Sequence, residues 1–387
     1  MSKSTSKAPY QGFEQGPIRP PSEAYSLLIR VTRNCPWNRC TFCPVYKGAG
    51  FSLRPVEHVK RDIDAVARHV DALKRMSDDS GQISRIDIDT YMARVSGSDR
   101  QSFHAALNWF AGGMQSVFLQ DANSLIITPG DLADILRHLK GRFPWVGRVT
   151  SYARSHTVAR ISDEDLREIA EAGLNRIHIG MESASDEVLK KVRKGADKAT
   201  HIKAGLKVIR AGMELSEYVM PGLGGRELSD SHARETADAL NQINPHFIRL
   251  RTLAIPNSVP LFGEYESGRF EKLSDAEAAA EIHLFLELLD GITSQVKSDH
   301  ILNLFEDLEG KFPEDKERML CSVRAFLDMP PRERMLYQVG RRLGYLRGVG
   351  NLADARVREE IEKICDQHAI TPDNVDAFIN EMMKRFI

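Results

Sequence analysis

Three cysteines, Cys35, Cys40 and Cys43, fall within nine residues, in the run Cys-Pro-Trp-Asn-Arg-Cys-Thr-Phe-Cys. Thiolates at this density are soft ligands that suit zinc or iron–sulfur chemistry. The only other cysteines, Cys321 and Cys365, lie far apart in stretches that read as helices, where a thiol serves as a small buried side chain. Five cysteines in 387 residues is an odd, sparse count for a disulfide framework, so the triad points to a metal site in a reducing compartment. Structural zinc normally takes four ligands, commonly in two pairs, and no second pair is present. A cubane cluster has four irons. Three local thiolates leave one of them open to a small chelating ligand. The cluster reading therefore stands ahead of zinc, and a purely structural role for the three thiols stands last.

Such ligands need rigid elements to carry them. Residues 26–32 (SLLIRVT) are a short apolar run that ends just before Cys35 and read as a buried strand. Val56, Val59, Ile63, Val66, Val70 and Leu73 recur at helical spacing, which predicts an amphipathic helix over 55–76. Residues 77–97 are less regular. Further strands are expected at 116–120, 148–152, 176–181, 216–220 and 247–254, alternating with helices. Ser162 with Asp165 resembles a capping box, and Ser185 is placed to cap the next helix. Glycines at Gly173 and Gly212 end helices and return the chain to strands. Alternation at this pitch implies parallel strands with right-handed crossovers. Six strands predict an α/β fold, a partial (βα)6 TIM-type barrel over 25–271. Residues 1–24, polar and rich in Pro and Gly, read as a flexible N-terminal segment. Residues 272–387 read as a C-terminal helical region, with helices at 274–296, 315–328, 331–347, 352–367 and 371–385.

A cysteine triad immediately after the first strand of a βα barrel resembles the radical S-adenosylmethionine (SAM) superfamily, over roughly residues 25–256. The triad spacing differs: four residues then two, where three then two is common. The resemblance implies a [4Fe–4S] cluster on Cys35, Cys40 and Cys43 whose open iron chelates SAM. It implies reductive cleavage of SAM to methionine and a 5′-deoxyadenosyl radical, which abstracts hydrogen from an organic substrate. Phe42 matches the family aromatic whose neighbourhood contacts adenine. Asp121 stands where the superfamily usually carries a Gly-Gly-Glu motif and would accept from SAM's amino group; the plain reading of Asp121-Ala-Asn is a turn or cap. Arg154 would meet the SAM carboxylate, or is a solvated arginine. Glu182, in Gly180-Met-Glu-Ser183, resembles a segment of the branch with methylthiotransferases and coproporphyrinogen dehydrogenases, and would bind SAM's ribose hydroxyls or amino group. Gly222 sits in a glycine-containing segment that would let backbone approach adenine, or is a tight turn.

Other polar residues have simpler readings. Trp37, Tyr46 and Lys47 flank the triad, as shielding, as substrate contacts or as packing. His178 reads as a lumen-facing or core histidine. Asp299, His300 and Asn303 open the tail, with a surface cap favoured over a substrate contact. The arginines of 331–347 read by default as a solvated basic face. The net charge of -1 offers no global field for nucleic acid or membrane, and nucleic acid is not expected as a partner. No stretch resembles a signal peptide or a membrane span, so the expectation is a cytoplasmic protein. A reduced flavodoxin or ferredoxin-type donor is the implied electron source for an oxygen-sensitive, anaerobic chemistry. Alternatives are a radical methyl or methylthio transferase, or a non-catalytic Fe–S or zinc protein that binds a partner.

Overall fold

The computed structural model describes residues 9–383. Its strands are β1 (Leu27–Arg30), β2 (Thr32–Arg33), β3 (Ser52–Leu53), β4 (Ser116–Gln120), β5 (Arg148–Ala153), β6 (Arg176–Glu182), β7 (Glu214–Val219), β8 (Phe247–Leu250), β9 (Gln295–Lys297) and β10 (Gly310–Lys311). Eight of them follow the order β1-β4-β5-β6-β7-β8-β9-β10, and this order does not close on itself. The pairs β1/β4, β4/β5, β7/β8 and β8/β9 are parallel, while β9/β10 is antiparallel. The fold is α/β with an open, mostly parallel sheet. The six barrel strands read from the sequence are β1 and β4 to β8. The two added strands come from the tail, which is therefore not helical throughout.

The chain forms two compact units. One holds residues up to 38, 48–178 and 207–214; the other holds 39–47, 179–206 and residues from 215 on. In the first unit, β4 is buried at every position, as expected of a parallel strand covered on both faces. The helix Val56–Met76 turns Val59, Ile63, Val66, Val70 and Leu73 inward, all fully buried. It packs on the helices Arg100–Ala111 and Pro129–Arg142. The irregular stretch before residue 97 contains a helix, Arg85–Arg94, with no buried residue, which explains its missing apolar period.

Residues 1–8 of the N-terminal segment read as flexible lie outside the described residues. Residues 9–24 are tied to the first unit. Tyr10 Oη donates to Asp62 Oδ1 at 2.8 Å, and Glu14 pairs with Arg33 at 2.9 Å. Glu23 is fully buried and meets Arg148 at 3.1 Å. His178, also fully buried, lies 3.5 Å from Ser22 Oγ and 3.6 Å from Glu23, so it is a core histidine.

In the second unit, the helix expected over 274–296 spans Asp275–Leu288. Its start is a full capping box between Ser274 and Glu277. It stops before Gly291, which takes the left-handed conformation at φ 67°, and the chain then enters β9. The last barrel strand ends at Leu250 rather than 254, because the following N–H of Thr252 is taken by Asn303 Oδ1 at 2.9 Å. Ser162 caps its helix through the Asp165 N–H at 3.0 Å, as its sequence suggests. Ser185 occupies a cap position without capping; its hydroxyl bonds Ser231 Oγ at 2.9 Å. The basic stretch is solvated only in part: Arg332 and Arg347 are exposed. Arg341 and Arg342 are buried and pair with Glu306 and Asp275 at 3.2 and 2.8 Å.

The ion pair of Arg54 with Asp62, at 2.7 Å, is buried on both sides within the first unit. Removing one member strands the other charge. Asp62→Ala is expected to lower the unfolding free energy by about 3 kcal/mol in urea denaturation. Arg54 also meets Glu14 at 2.5 Å, and a loss below about 1 kcal/mol would mean that Glu14 alone can carry the Arg54 charge.

Candidate active site

The cysteine loop runs between β2 and β3, whose antiparallel pairing of Thr32 with Leu53 and Arg33 with Ser52 closes its base. Its first limb belongs to the first unit. Asn34 takes the left-handed conformation at φ 66°, and its N–H donates to Asp121 Oδ2 at 2.9 Å. Asn34 Nδ2 reaches across to Gly50 O at 2.6 Å, and Asn38 Nδ2 to Ala49 O at 3.3 Å. Two short amides thus replace the ladder that a wide loop cannot form. The Asn38 N–H points at Cys35 Sγ from 3.4 Å. A backbone donor on sulfur stabilises a thiolate and tunes any metal it binds. The Arg154 guanidinium stacks over the Trp37 ring at 4.9 Å, so this arginine is not merely solvated. Its N–H is held by Asn123 Oδ1 at 3.1 Å, and Asn123 in turn donates to Thr157.

The second limb, 39–47, belongs to the second unit. The Thr41 N–H donates to Val192 O, and Leu261 N–H donates to Thr41 O, both at 3.0 Å. Lys47 Nζ donates to Cys40 O at 2.7 Å. Phe42 is buried in an apolar cluster with Val188, Val192, Met220, Leu253 and Ile255, and Cys40 and Cys43 pack against that cluster. The loop is therefore anchored through an aromatic plug while its thiols stay half-exposed. None of the three cysteines is in a disulfide. Among the described residues, no three His, Cys, Asp or Glu side chains stand together as a group that could hold a metal ion.

Beside this limb lies a polar cluster that the strand ends create. Glu182 closes β6 in the left-handed conformation at φ 65° and is largely buried. Its carboxylate meets Lys194 Nζ at 3.2 Å. The same ammonium lies 5.8 Å from the centre of the Phe42 ring. Gly180 is a glycine for a spatial reason, because a Cβ there would sit 2.3 Å from Glu182 Oε1. Glu217, on β7, is fully buried, and neither of its carboxylate oxygens has a hydrogen-bond partner. Burial pushes its carboxyl well above the usual range; the Lys194 charge opposes this and the Glu182 charge adds to it.

Neither Lys194 nor Glu217 was legible as a site residue. Lys194 belongs to the run Lys190-Lys-Val-Arg-Lys194, which looks like a solvated helix end, and Glu217 sits in a strand whose alternation is ambiguous. A signal existed: a glutamate inside a short buried strand has no ordinary reason to be there.

Gly222 has φ 87°, and a Cβ there would meet only Leu253 at 3.6 Å. The position needs glycine for its conformation, not for room. Its N–H donates to buried Glu281 Oε1 at 2.7 Å. Asp121 is fully buried and held by Arg30. Asp299 pairs with Arg249 at 2.6 Å, and Asn303 stitches the end of β8. Burial, helped by the Arg251 charge, lowers the His300 imidazole to about 4, so it is neutral near pH 7.

Residues 106–240 match the model of the radical SAM superfamily. The matched stretch is about a third of the chain and begins after the cysteine run. No curated protein matches the sequence. The chain is similar to three solved structures among others. Coproporphyrinogen III oxidase of Escherichia coli is 11% identical with a TM-score of 0.45, over 68% of this chain and 52% of that one. Methylornithine synthase is 13% identical with a TM-score of 0.42, over 77% and 68%. The radical SAM methyltransferase of Kitasatospora setae is 15% identical with a TM-score of 0.42, over 89% and 61%. The chain spans about half to two-thirds of the length of these structures.

The unpartnered Glu217 makes stability depend on pH with a definite sign. Its folded pKa lies above the unfolded value near 4.5, so the folded state holds its proton to higher pH than the unfolded one. Stability is lost as pH rises from about 4.5 toward the folded pKa. Glu217→Gln is expected to remove this slope and to melt no lower than the unsubstituted protein at pH 8. A lower melting temperature for the variant at pH 8 would mean that an ionised, paired carboxylate is needed there.

Proposed function

We propose that Cys35, Cys40 and Cys43 hold one [4Fe–4S] cluster, and that the enzyme uses it to cleave SAM and abstract hydrogen from an organic substrate. The donor chemistry fits. Three thiols are tethered within nine residues, all half-exposed and outside disulfides, with a backbone N–H on one sulfur. Held by these three cysteines, the cluster would supply one electron to break the C5′–S bond of SAM, releasing methionine and leaving the 5′-deoxyadenosyl group to take hydrogen from the substrate.

The observation that carries this reading is the cluster of Glu182, Lys194 and Glu217 beside the aromatic Phe42. SAM is a zwitterionic amino acid joined to a ribose and an adenine. Lys194 matches its carboxylate, with a charge-assisted bond that is strong where water is scarce. The carboxylate of Glu182 and the buried carboxyl of Glu217, which burial pushes toward its protonated form, match ribose hydroxyls. An uncompensated buried carboxyl costs stability, and a polar ligand that arrives with hydroxyls removes that cost. Phe42 and the aliphatic side chains around it offer an apolar face to adenine. Gly222 leaves the adjacent turn without a side chain.

The reductant is a reduced flavodoxin or ferredoxin-type protein, and the setting is the cytoplasm under anaerobic conditions. Among the described residues, no helix is long and apolar enough to cross a membrane.

Anaerobic protein reconstituted with iron and sulfide tests the ligands and the pocket together. Each of Cys35→Ala, Cys40→Ala and Cys43→Ala is expected to fail to retain the cluster signal by electron paramagnetic resonance. Lys194→Ala should keep the cluster and weaken SAM binding by about 10-fold or more, as expected when a buried charge-assisted contact is lost. A cluster retained in all three cysteine variants would defeat the assignment. Transfer of SAM's methyl group to product would place the enzyme with the methyl or methylthio transferases instead.

A further inference from the structure

Asp121 stands at the end of β4, where the resemblance assigns a contact to SAM's amino group, but its own surroundings describe a different task. Its Oδ2 accepts from Arg30 Nε at 2.8 Å, from Arg30 Nη2 at 2.7 Å and from the Asn34 N–H at 2.9 Å. The side chain is fully buried. Its other oxygen faces the N-terminal segment: a Cβ on Gly16 would sit 2.0 Å from Oδ1. Gly16 is fixed in that place by Gln120, which accepts the Gly16 N–H at 2.8 Å and donates to Gly16 O at 3.2 Å and to Ile18 O. The carboxylate is enclosed by an arginine on one side and a backbone strap on the other.

The group it holds decides its role. Asn34 is the residue before Cys35, and it sits in the left-handed region, which asparagine adopts more readily than other non-glycine residues. The carboxylate takes the N–H of that residue, and Arg30 also donates to Asn34 Oδ1 at 3.2 Å. Backbone and side chain of Asn34 are thus fixed from one ion pair. The direction in which Cys35 leaves the strand follows from this clamp.

We infer that Asp121 is a positioning residue for the cysteine loop: with Arg30 it fixes Asn34 and thereby the placement of Cys35, and it does not bind SAM. The inference rests on the proposed cluster assignment. It also gives the N-terminal strap a purpose, since Gly16 keeps the carboxylate turned toward the loop.

The test uses full-length protein reconstituted anaerobically with iron and sulfide. Three variants are compared with the unsubstituted enzyme: Asp121→Asn, Gly16→Ala, and Arg30→Met combined with Asp121→Leu. The double variant removes both charges at once, so no buried charge is orphaned and the fold is kept. The readouts are the rate of iron loss to a chelator, the electron paramagnetic resonance spectrum of the reduced cluster, and SAM affinity. All three variants should lose iron about 10-fold faster with an altered spectrum, the usual effect of removing an outer partner of a metal ligand. SAM affinity of freshly loaded protein should stay within about 3-fold, which a direct ligand would not allow. Unchanged iron loss with SAM binding weakened 10-fold or more would make Asp121 a SAM contact and overturn the inference. Unchanged behaviour in all readouts would overturn it as well. Failure of the unsubstituted enzyme to take up any cluster would instead overturn the assignment of the three cysteines, and the inference with it.

Discussion

A loop that carries metal ligands cannot satisfy its own backbone. It is too wide for a ladder and too exposed to fold on side-chain packing alone, so the frame around it must supply the missing partners. Every feature of the cysteine loop answers this constraint. β2 and β3 close its base. The carboxylate of Asp121 takes the first N–H beyond β2, and the amides of Asn34 and Asn38 span the loop. Farther on, Thr41 exchanges backbone bonds with Val192 and Leu261. Phe42 anchors the limb in apolar surroundings. The thiols of Cys35, Cys40 and Cys43 stay half-exposed.

The same reasoning explains the polar groups at the strand ends. Carboxylates are costly to bury, and Asp121 and Glu182 each have a cationic partner, Arg30 and Lys194. Glu217 has no hydrogen bond, and burial pushes its carboxyl well above the usual range. Paired carboxylates hold structure; an unpaired one at full burial marks a place where a ligand completes the set. This difference separates Asp121, which accepts from Arg30 and the Asn34 N–H, from Glu217, whose oxygens have no hydrogen-bond partner.

The sequence made the repetitive parts legible. The apolar period of Val59, Ile63, Val66, Val70 and Leu73 gave its helix to within a residue, and the six barrel strands stand near their expected places. Local order with a regular period leaves a trace in one segment. The long-range pairings left none. Nothing in the tail announced β9 and β10, because strands of three and two residues carry no alternation. The basic stretch around Arg341 read as solvated, since its partners, Glu306 and Asp275, come from remote segments. The same holds for the site. The cysteines stand out as candidate ligands from their spacing alone, and Glu182 as a candidate contact from its neighbours in sequence. Lys194 and Glu217 became visible only when folding brought charge and burial together. Asp121 was legible as an important residue, but its partner Arg30 was not.

The account stands or falls on whether the thiols of this loop support SAM cleavage. The most direct measurement is product analysis by mass spectrometry after anaerobic reconstitution, with strong reductant and SAM but no further substrate. The account predicts 5′-deoxyadenosine and methionine in equal amounts, absent when reductant is omitted. A fully loaded, reducible cluster that binds SAM and yields no 5′-deoxyadenosine would contradict it.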